Sequence, residues 1–322
     1  MDIPAELREA LESLACGQPQ AQLARTAQAL SERYRSETGS GKRLLATEPE
    51  AAVYAMTRMP ATYCAVLSAL RYALAHTETP LSSVLDVGAG TGAAGWAALS
   101  ALPDLIRVTC IEREGAMRKV GQRLAQAGPQ PLRDAEWQSL DLTKEPIPGK
   151  ADVVIASYVL GEMTAESRAK TTEALWDAAT HMLLVVGPGT PAGFSQLGEV
   201  RSLLLARGAH IAAPCPHEGQ CLIPEGDWCH FTCRVSRSRL HRALKGGDAP
   251  YEDEKFAYVA FTKAPCSQAK ARVLRHPLIE PGRVTLTLCA AEGIKKATVL
   301  KRDGEAFKWA RKANCGDEMI GH

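Results

Sequence analysis

Apolar residues recur at three- and four-residue steps through the first 36 positions: Leu7, Leu11 and Leu14, then Leu23, Ala27 and Leu30. Such steps place side chains on one stripe of a helix, so two amphipathic helices are expected there. Residues 37–46 are rich in Gly, Ser, Lys and Arg and read as a linker. A further helical stretch is expected from Glu48 to Ala75. A break is expected before Pro60, whose ring removes a backbone donor and crowds the preceding turn. The pattern then changes. Short apolar runs at Val84–Val87, Val108–Ile111, Val153–Ala156 and Met182–Val186 alternate with helical periodicity over Ala93–Leu102, Gly115–Ala127, Glu166–Thr180 and Phe194–Arg207. Thr164 marks one helix start and Gly208 one helix stop. Alternation of this kind builds a parallel sheet covered by helices on both faces.

After Ala213 the rhythm breaks again. A cysteine-rich loop is expected over Cys215–Cys233, a basic helix over about Val235–Leu244, and a strand over Lys255–Thr262. Residues 271–312 read as a small antiparallel β unit, with apolar alternation in Val284–Leu288 and Ala297–Leu300 and turns at Pro281-Gly282 and Asp303-Gly304. The expected fold class is α/β, a Rossmann-like doubly wound sheet with appendages. The expected division is an N-terminal helical region (1–78), the sheet domain (79–213 with 254–263), the cysteine-rich loop with its basic helix (214–250) and the β unit (264–322).

Composition narrows the class. A chain with 46% hydrophobic and 23% charged residues reads as a soluble globular protein. No apolar run approaches the roughly 20 residues that a membrane helix needs, so no membrane partner is expected. The acidic N-terminus, Met-Asp-Ile-Pro-Ala-Glu, reads as neither a secretory signal nor a transit peptide, and a cytoplasmic location is expected. Net charge is only +2, yet residues 234–322 hold 18 Lys and Arg against 10 Asp and Glu, while the rest hold 20 against 26. A basic end on an otherwise acidic chain points to a polyanionic partner.

Gly88-Ala-Gly90-Thr-Gly92 follows an apolar strand and opens a helix. Glycines allow a tight turn and close backbone approach to a ligand at a helix N-terminus. The loop alone does not separate NAD from S-adenosylmethionine, since Gly88, Gly90 and Ala93 also fit the dinucleotide fingerprint. Three carboxylates add to it. Asp86 stands at the strand end, within reach of a ligand ammonium through a water or a backbone amide. Glu112 ends the second strand, where it can take ribose hydroxyls, and Asp141, followed by Leu142, comes after the third, where it can accept an adenine amino group. This set resembles class I methyltransferases over about residues 80–190, which implies S-adenosylmethionine as the cofactor. After the fourth strand the chain reads Ala156-Ser157-Tyr158-Val-Leu-Gly-Glu162. It has neither the Asn-Pro-Pro-Tyr-type motif of amino methyltransferases nor the Pro-Cys of cytosine-C5 enzymes. Ser157 joins the cofactor pocket, and Tyr158 and Glu162 are expected at its mouth. Glu162 reads first as a surface loop carboxylate and second as a general base.

Of ten cysteines, Cys215, Cys221 and Cys229 form Cys-x5-Cys-x7-Cys. Structural zinc sites usually show closer pairs, and the only close pair is Cys229-x3-Cys233. Loose spacing suits a four-thiolate iron–sulfur cluster, with Cys233, Cys266 and Cys289 as candidates for the fourth ligand. Zinc is the alternative, with His217 and His230 as possible ligands, though both read better as loop hydrogen-bonding residues. Radical S-adenosylmethionine enzymes use Cys-x3-Cys-x2-Cys, which is absent, so any cluster is expected to be structural.

Cys-Pro-His-x-x-x-Cys, Trp228-Cys-His-Phe and Tyr251-Glu-Asp-Glu-Lys-Phe-Ala-Tyr258 resemble the methyltransferase-like family of small-ribosomal-subunit assembly factors, which has mitochondrial members and bacterial relatives. The resemblance extends to Arg58-x-Pro60 and Pro188-Gly-Thr-Pro-Ala-Gly-Phe194; Gly187 departs from it, because the family tends to have Glu before Pro-Gly-Thr-Pro. It implies a [4Fe–4S] cluster on Cys215, Cys221, Cys229 and a downstream cysteine that points to Cys289, with Cys266 as rival. It also implies the small subunit's ribosomal RNA as partner, a bacterial cytoplasmic location, and the mitochondrial matrix for eukaryotic relatives. The RNA surface expected comprises Arg234, Arg237, Arg239, Arg242 and Lys245 on the basic helix, and Lys295, Lys296, Lys301, Arg302, Lys308, Arg311 and Lys312 on the β unit, with Trp309 among them. The free protein is expected to be a monomer. Two functions follow: an assembly factor with little or no catalysis, or an active ribosomal RNA methyltransferase.

Overall fold

The computed structural model describes residues 1–37 and 47–319, with the side chains of 34–37 left aside; the linker expected at 37–46 thus lies, apart from Glu37, outside the described residues. Helices α1 (Ala5–Ser13) and α2 (Gln20–Glu37) are the two expected from the leucine stripe. Helix α3 runs from Glu48 to Leu74 without a break. The expected interruption at Pro60 does not occur. Most of α3 is buried, Pro60 among it, and its packing against the sheet outweighs the one hydrogen bond that proline removes. Thr47 starts the helix with a capping box to Glu50.

The main domain follows: β1 (Ser83–Val87), α4 (Ala93–Ala101), β2 (Arg107–Ile111), α5 (Gly115–Ala125), α6 (Gln130–Arg133), β3 (Glu136–Gln138), β4 (Ala151–Ser157), α7 (Ala165–Ala178), β5 (Ala179–Pro188), α8 (Pro191–Ala206) and β6 (His210–Ala213). Then come β7 (Phe231–Ser236), α9 (Arg239–Lys245) and β8 (Tyr251–Thr262). The sheet order is β3-β2-β1-β4-β5-β8-β6, with β7 on the far part of β8. Strands β1 to β5 are parallel, and β8 inserts antiparallel between β5 and β6. This is the order of a class I methyltransferase.

Alternate strand residues feed two cores. Val84, Val153, Ile155 and Leu184 join α1–α5 on one face. Leu85, Val154, Leu183 and Val185 join α7 and α8 on the other. Both faces are dry because strand side chains alternate and each face has its own helical layer.

Two expectations about the segment after the cysteine loop are corrected. The basic helix is shorter than the periodicity suggests. Residues 231–236 are strand β7, paired residue for residue with Tyr251–Phe256. Their alternation, Phe231, Cys233 and Val235 inward and Arg234 outward, has the period of two that a strand needs. Only Arg239–Lys245 is helical. The β unit consists of β9 (Ala271–Val273), β10 (Leu278–Glu280), β11 (Arg283–Ala290) and β12 (Gly293–Leu300), with a helix, α10 (Glu305–Ala310), that the sequence pattern did not show. Val284, Leu286, Leu288 and Ala290 point into its core against Ala310 and Ala313. Cys289, between them, therefore faces the opposite way. No described helix is long and apolar enough to cross a membrane.

Candidate functional site

Two sites are built on this frame. The first lies at the C-terminal ends of β1, β2 and β4. Gly88, Gly90 and Gly92 all have positive φ (70°, 56° and 87°). The loop is tightly fitted, for a Cβ on Gly88 would lie 2.5 Å from Val159 Cγ2. The Gly90 N–H donates to Glu112 Oε2 and the Glu114 N–H to its Oε1, each at 2.8 Å. Asp86 is fully buried; one oxygen accepts from Gly95 N–H at 3.3 Å and the other has no partner. Burial, reinforced by Glu112, pushes Asp86 up to about 7. Glu162, on the short turn after β4, is also pushed up to about 7 by burial and by Glu112. It is half-buried on this turn, between the surface carboxylate and the enclosed base expected from the sequence. Three carboxyl groups act on one another at the strand ends, an arrangement that favours a cation.

The other expected pocket residues differ in their commitments. Asp141 accepts from Thr143 N–H at 3.1 Å and Thr143 Oγ1–H at 2.6 Å, and Lys144 is 3.2 Å away. The Thr143 hydroxyl foremost holds it down at about 2. Leu142 packs against the second core, and Ser157 ends β4 half-buried. Tyr158 has a φ of 61°, the only described non-glycine residue in the left-handed region, a strain found mostly at functional sites. Its hydroxyl donates to Glu254 on β8 at 3.0 Å.

The second site is a cavity of about 70 Å³ between α8, β8, the cysteine loop and the β unit. By volume this is room for about five waters. Cys215, Cys221, Cys229 and Cys289 all line it. The two rival thiols do not. Cys233 is buried in the first core, while Cys266 packs against that core beside the Thr262 hydroxyl, 3.4 Å away. No described group of three or more His, Cys, Asp or Glu side chains is gathered to hold a metal ion. A single zinc needs Zn–S distances of about 2.3 Å, hence thiolates within about 4 Å of each other; a cluster spreads its ligands around several irons.

Burial holds the thiols of Cys215 and Cys229 up, and Cys289 is pushed up to about 12. The walls carry hydrogen-bond donors without acceptors: Arg201 Nε, Arg272 Nη2 and the Tyr258 hydroxyl are buried and unpartnered. A cavity of thiols with unanswered donors is suited to an anionic sulfur-rich group. His230 Nδ1–H donates to Trp228 O, 3.2 Å away, and the ring stacks on the Trp228 ring, as expected of a loop-ordering residue. The Trp228 indole donates to Gly189 O at 3.0 Å, tying this loop to the segment after β5. Sequence reading missed Cys315, a buried thiol that donates to Leu274 O at 3.0 Å and acts on Cys229. Its place 26 positions beyond Cys289 gave no local signal.

The basic residues fall into two groups. Arg234 forms a fork with Asp253 (2.8 and 2.9 Å) over the Tyr251 ring; Arg237 and Lys245 both bind Glu252 at 2.7 Å. Lys308 pairs with Glu305 at 2.6 Å and Lys295 with Glu292 at 3.4 Å, while Arg311 lies over Phe307. Arg242 is half-buried with an unpartnered Nε. Arg239, Lys296 and Lys312 are exposed on the surface. Trp309 packs into the core of the β unit.

A family model described as "Mitochondrial small ribosomal subunit Rsm22" matches residues 48–320. The human mitochondrial ribosome assembly protein METTL17 is 27% identical over 303 residues, covering 88% of this chain and 65% of its own length. A fission yeast relative, Rsm22-cox11 tandem protein 2, mitochondrial, is 24% identical over 327 residues, 84% of this chain and 43% of its own length. The chain thus spans less than two thirds of either relative. Among solved structures, magnesium protoporphyrin IX methyltransferase from Synechocystis with bound SAM has 18% identity and a TM-score of 0.43, covering 73% of this chain and 91% of that one. An O-methyltransferase family protein from Burkholderia thailandensis has 14% identity and a TM-score of 0.46, covering 75% and 71%.

Proposed function

Because this chain belongs to the mitochondrial small ribosomal subunit Rsm22 family, we propose that it is a small-subunit assembly factor that holds S-adenosylmethionine, carries a [4Fe–4S] cluster and docks on ribosomal RNA. The observation that supports this most is that Cys215, Cys221, Cys229 and Cys289 line one cavity. In this reading those four thiolates hold the cluster, which supplies a covalent staple between the cysteine loop and the β unit. Metal and acid-labile sulfide analysis of anaerobically purified protein tests it. Iron and sulfide in near-equal amounts with a broad brown absorbance are expected. Zinc without sulfide would replace the cluster with a zinc staple.

In the cofactor crevice, Gly88, Gly90 and Gly92 give backbone access, Glu112 takes the ribose hydroxyls and Asp141 and Leu142 take the adenine. Asp86 and Glu162 face the positive end of the ligand. Both have folded-state values raised to about 7, so the free protein favours their protonated forms and loses stability as pH rises from about 4 towards 7. A cationic ligand favours the carboxylates, so binding releases protons below pH 7. Affinity for S-adenosylmethionine should rise with pH through about 7 and then level, by at most about tenfold per unit for each group. Calorimetry across pH 5.5–8 in buffers of different ionisation heat measures this; a flat profile would remove the carboxylates from the ligand.

The RNA contact is assigned to the basic C-terminal third: Arg234, Arg237, Arg239, Arg242, Lys295, Lys296, Lys308, Arg311 and Lys312. Exposed Arg239, Lys296 and Lys312 lead it, with Arg234 and Arg237 kept in place by Asp253 and Glu252. Reversing Arg239, Lys296 and Lys312 to Glu should weaken binding to small-subunit RNA and flatten the log–log salt slope by about two to three units. An unaltered slope would put the contact elsewhere. The chain is assigned to the bacterial cytoplasm, as a monomer when free.

A second reading, an active ribosomal RNA methyltransferase with a cluster or zinc as staple, is favoured by Glu162. A carboxyl raised to about 7 suits a general base at neutral pH. Transfer of labelled methyl to precursor small-subunit RNA, lost in Glu162→Gln, would establish it.

A further inference from the structure

We infer that Arg201, Arg272 and Tyr258 form a buried cationic cradle that retains and tunes the sulfur-ligated cluster on Cys215, Cys221, Cys229 and Cys289. The inference rests on the cluster reading above and goes beyond it, because it concerns residues that are not ligands.

All three side chains line the thiol cavity, and they are 7%, 1% and 2% exposed. Each is partly committed to fixed structure and partly unanswered. Arg201, on α8, donates from Nη2 to His217 O at 3.1 Å and Gly219 O at 2.6 Å; its guanidinium also reaches the Cys215 thiol, while its Nε atom has no partner. Arg272, on β9, donates from Nε to Pro214 O at 2.9 Å and from Nη1 to Gly316 O at 3.0 Å, and its Nη2 has no partner. The Tyr258 hydroxyl, on β8, has none.

Arg272 is also the cross-strand partner of Cys289. Directly opposed residues in an antiparallel pair have Cβ atoms about 4.5–5.5 Å apart on one face. A carboxylate faces Arg272 as well: Glu318 lies 3.1 Å from its Nη1 and is shared with His76 at 2.6 Å.

A buried donor without an acceptor is costly, and a buried guanidinium more so. Three in one small cavity call for an anionic acceptor there. Four thiolates around an oxidised cubane carry a net charge of about −2, against which Arg201 and Arg272, the latter already shared with Glu318, set positive charge. Sulfur atoms would accept from Arg201 Nε, Arg272 Nη2 and the Tyr258 hydroxyl. The loop carbonyls already held by the same arginines would keep the ligands in register, so charge balance and loop geometry come from the same two side chains. Hydrogen bonds to the sulfurs and nearby positive charge favour the reduced cluster, which carries one more electron.

The test is a redox titration followed by visible and paramagnetic spectroscopy on anaerobic holoprotein, with iron loss to a chelator timed in parallel. Tyr258→Phe removes a hydroxyl and keeps the ring that packs between Phe231 and Tyr72. It should keep full iron and sulfide yet lower the reduced-to-oxidised ratio at the native midpoint about tenfold, equal to about 59 mV for a one-electron couple. Arg201→Lys and Arg272→Lys keep a charge but lose the fork, and should release iron to the chelator several-fold faster. Unmoved midpoints and unmoved release rates in all three, with the cluster present, would overturn the cradle. Absence of iron and sulfide from the native protein would instead defeat the cluster reading itself, and the cradle with it.

Discussion

Replacing Cys289 by serine should remove the brown absorbance and most of the iron, and should loosen the whole C-terminal third. Cys289 leaves β11 on the face opposite the β unit's own core, and it is the one proposed ligand outside the cysteine loop. Its loss would cut the tie between loop and β unit. Structural metal sites contribute on the order of 10 kcal/mol to folding, so losing one ligand of four should remove several kcal/mol. At about 2–4 °C per kcal/mol, melting should fall by roughly 10–20 °C. Cys266→Ser and Cys233→Ser are the matched controls, because neither thiol lines the cavity. Full iron in Cys289→Ser, or equal loss in Cys266→Ser, would reassign the fourth ligand.

Gly88→Ala is the second large effect, and it acts on the other site. The glycine sits at φ 70°, and an added Cβ would stand 2.5 Å from Val159 Cγ2 and 2.6 Å from its Cβ. A left-handed conformation costs an alanine about 1–2 kcal/mol. Overpacking adds about 1–3 kcal/mol. Val159 follows strained Tyr158 and cannot retreat freely, so the loop itself should shift. Binding of S-adenosylmethionine should fall at least tenfold, with melting lowered by about 5–10 °C. Gly17→Ala is the control for positive φ alone, since its φ is 76° and nothing lies within 4 Å of the added carbon. If Gly88→Ala bound the ligand as the native protein does, the loop would not be its seat.

The sequence by itself determined the doubly wound domain. Val84–Val87, Val108–Ile111, Val153–Ala156 and Met182–Val186 fall inside β1, β2, β4 and β5, because a strand covered on both faces must be apolar at every position. It also determined the glycine loop, whose positive φ values only glycine adopts without strain. The family was visible in short motifs around Cys215, Trp228 and Tyr251. What failed locally failed where tertiary contacts outweigh propensity. Pro60 lies within α3 because burial on the sheet outweighs one missing bond. Arg234 sits on a strand because β8 offers a ladder to β7, and a run of arginines carries no information about such a partner.

Only the tertiary structure decided the rest. Cys289 reaches the cavity, and Cys233 and Cys266 do not, because strand alternation and packing fix which way each thiol faces. Arg272 meets Cys289 through the register of β9 on β11, and Arg201 and Tyr258 arrive from two other elements. A cavity is a meeting of distant segments, and its unpartnered donors can be identified only once every other bond around them has been placed.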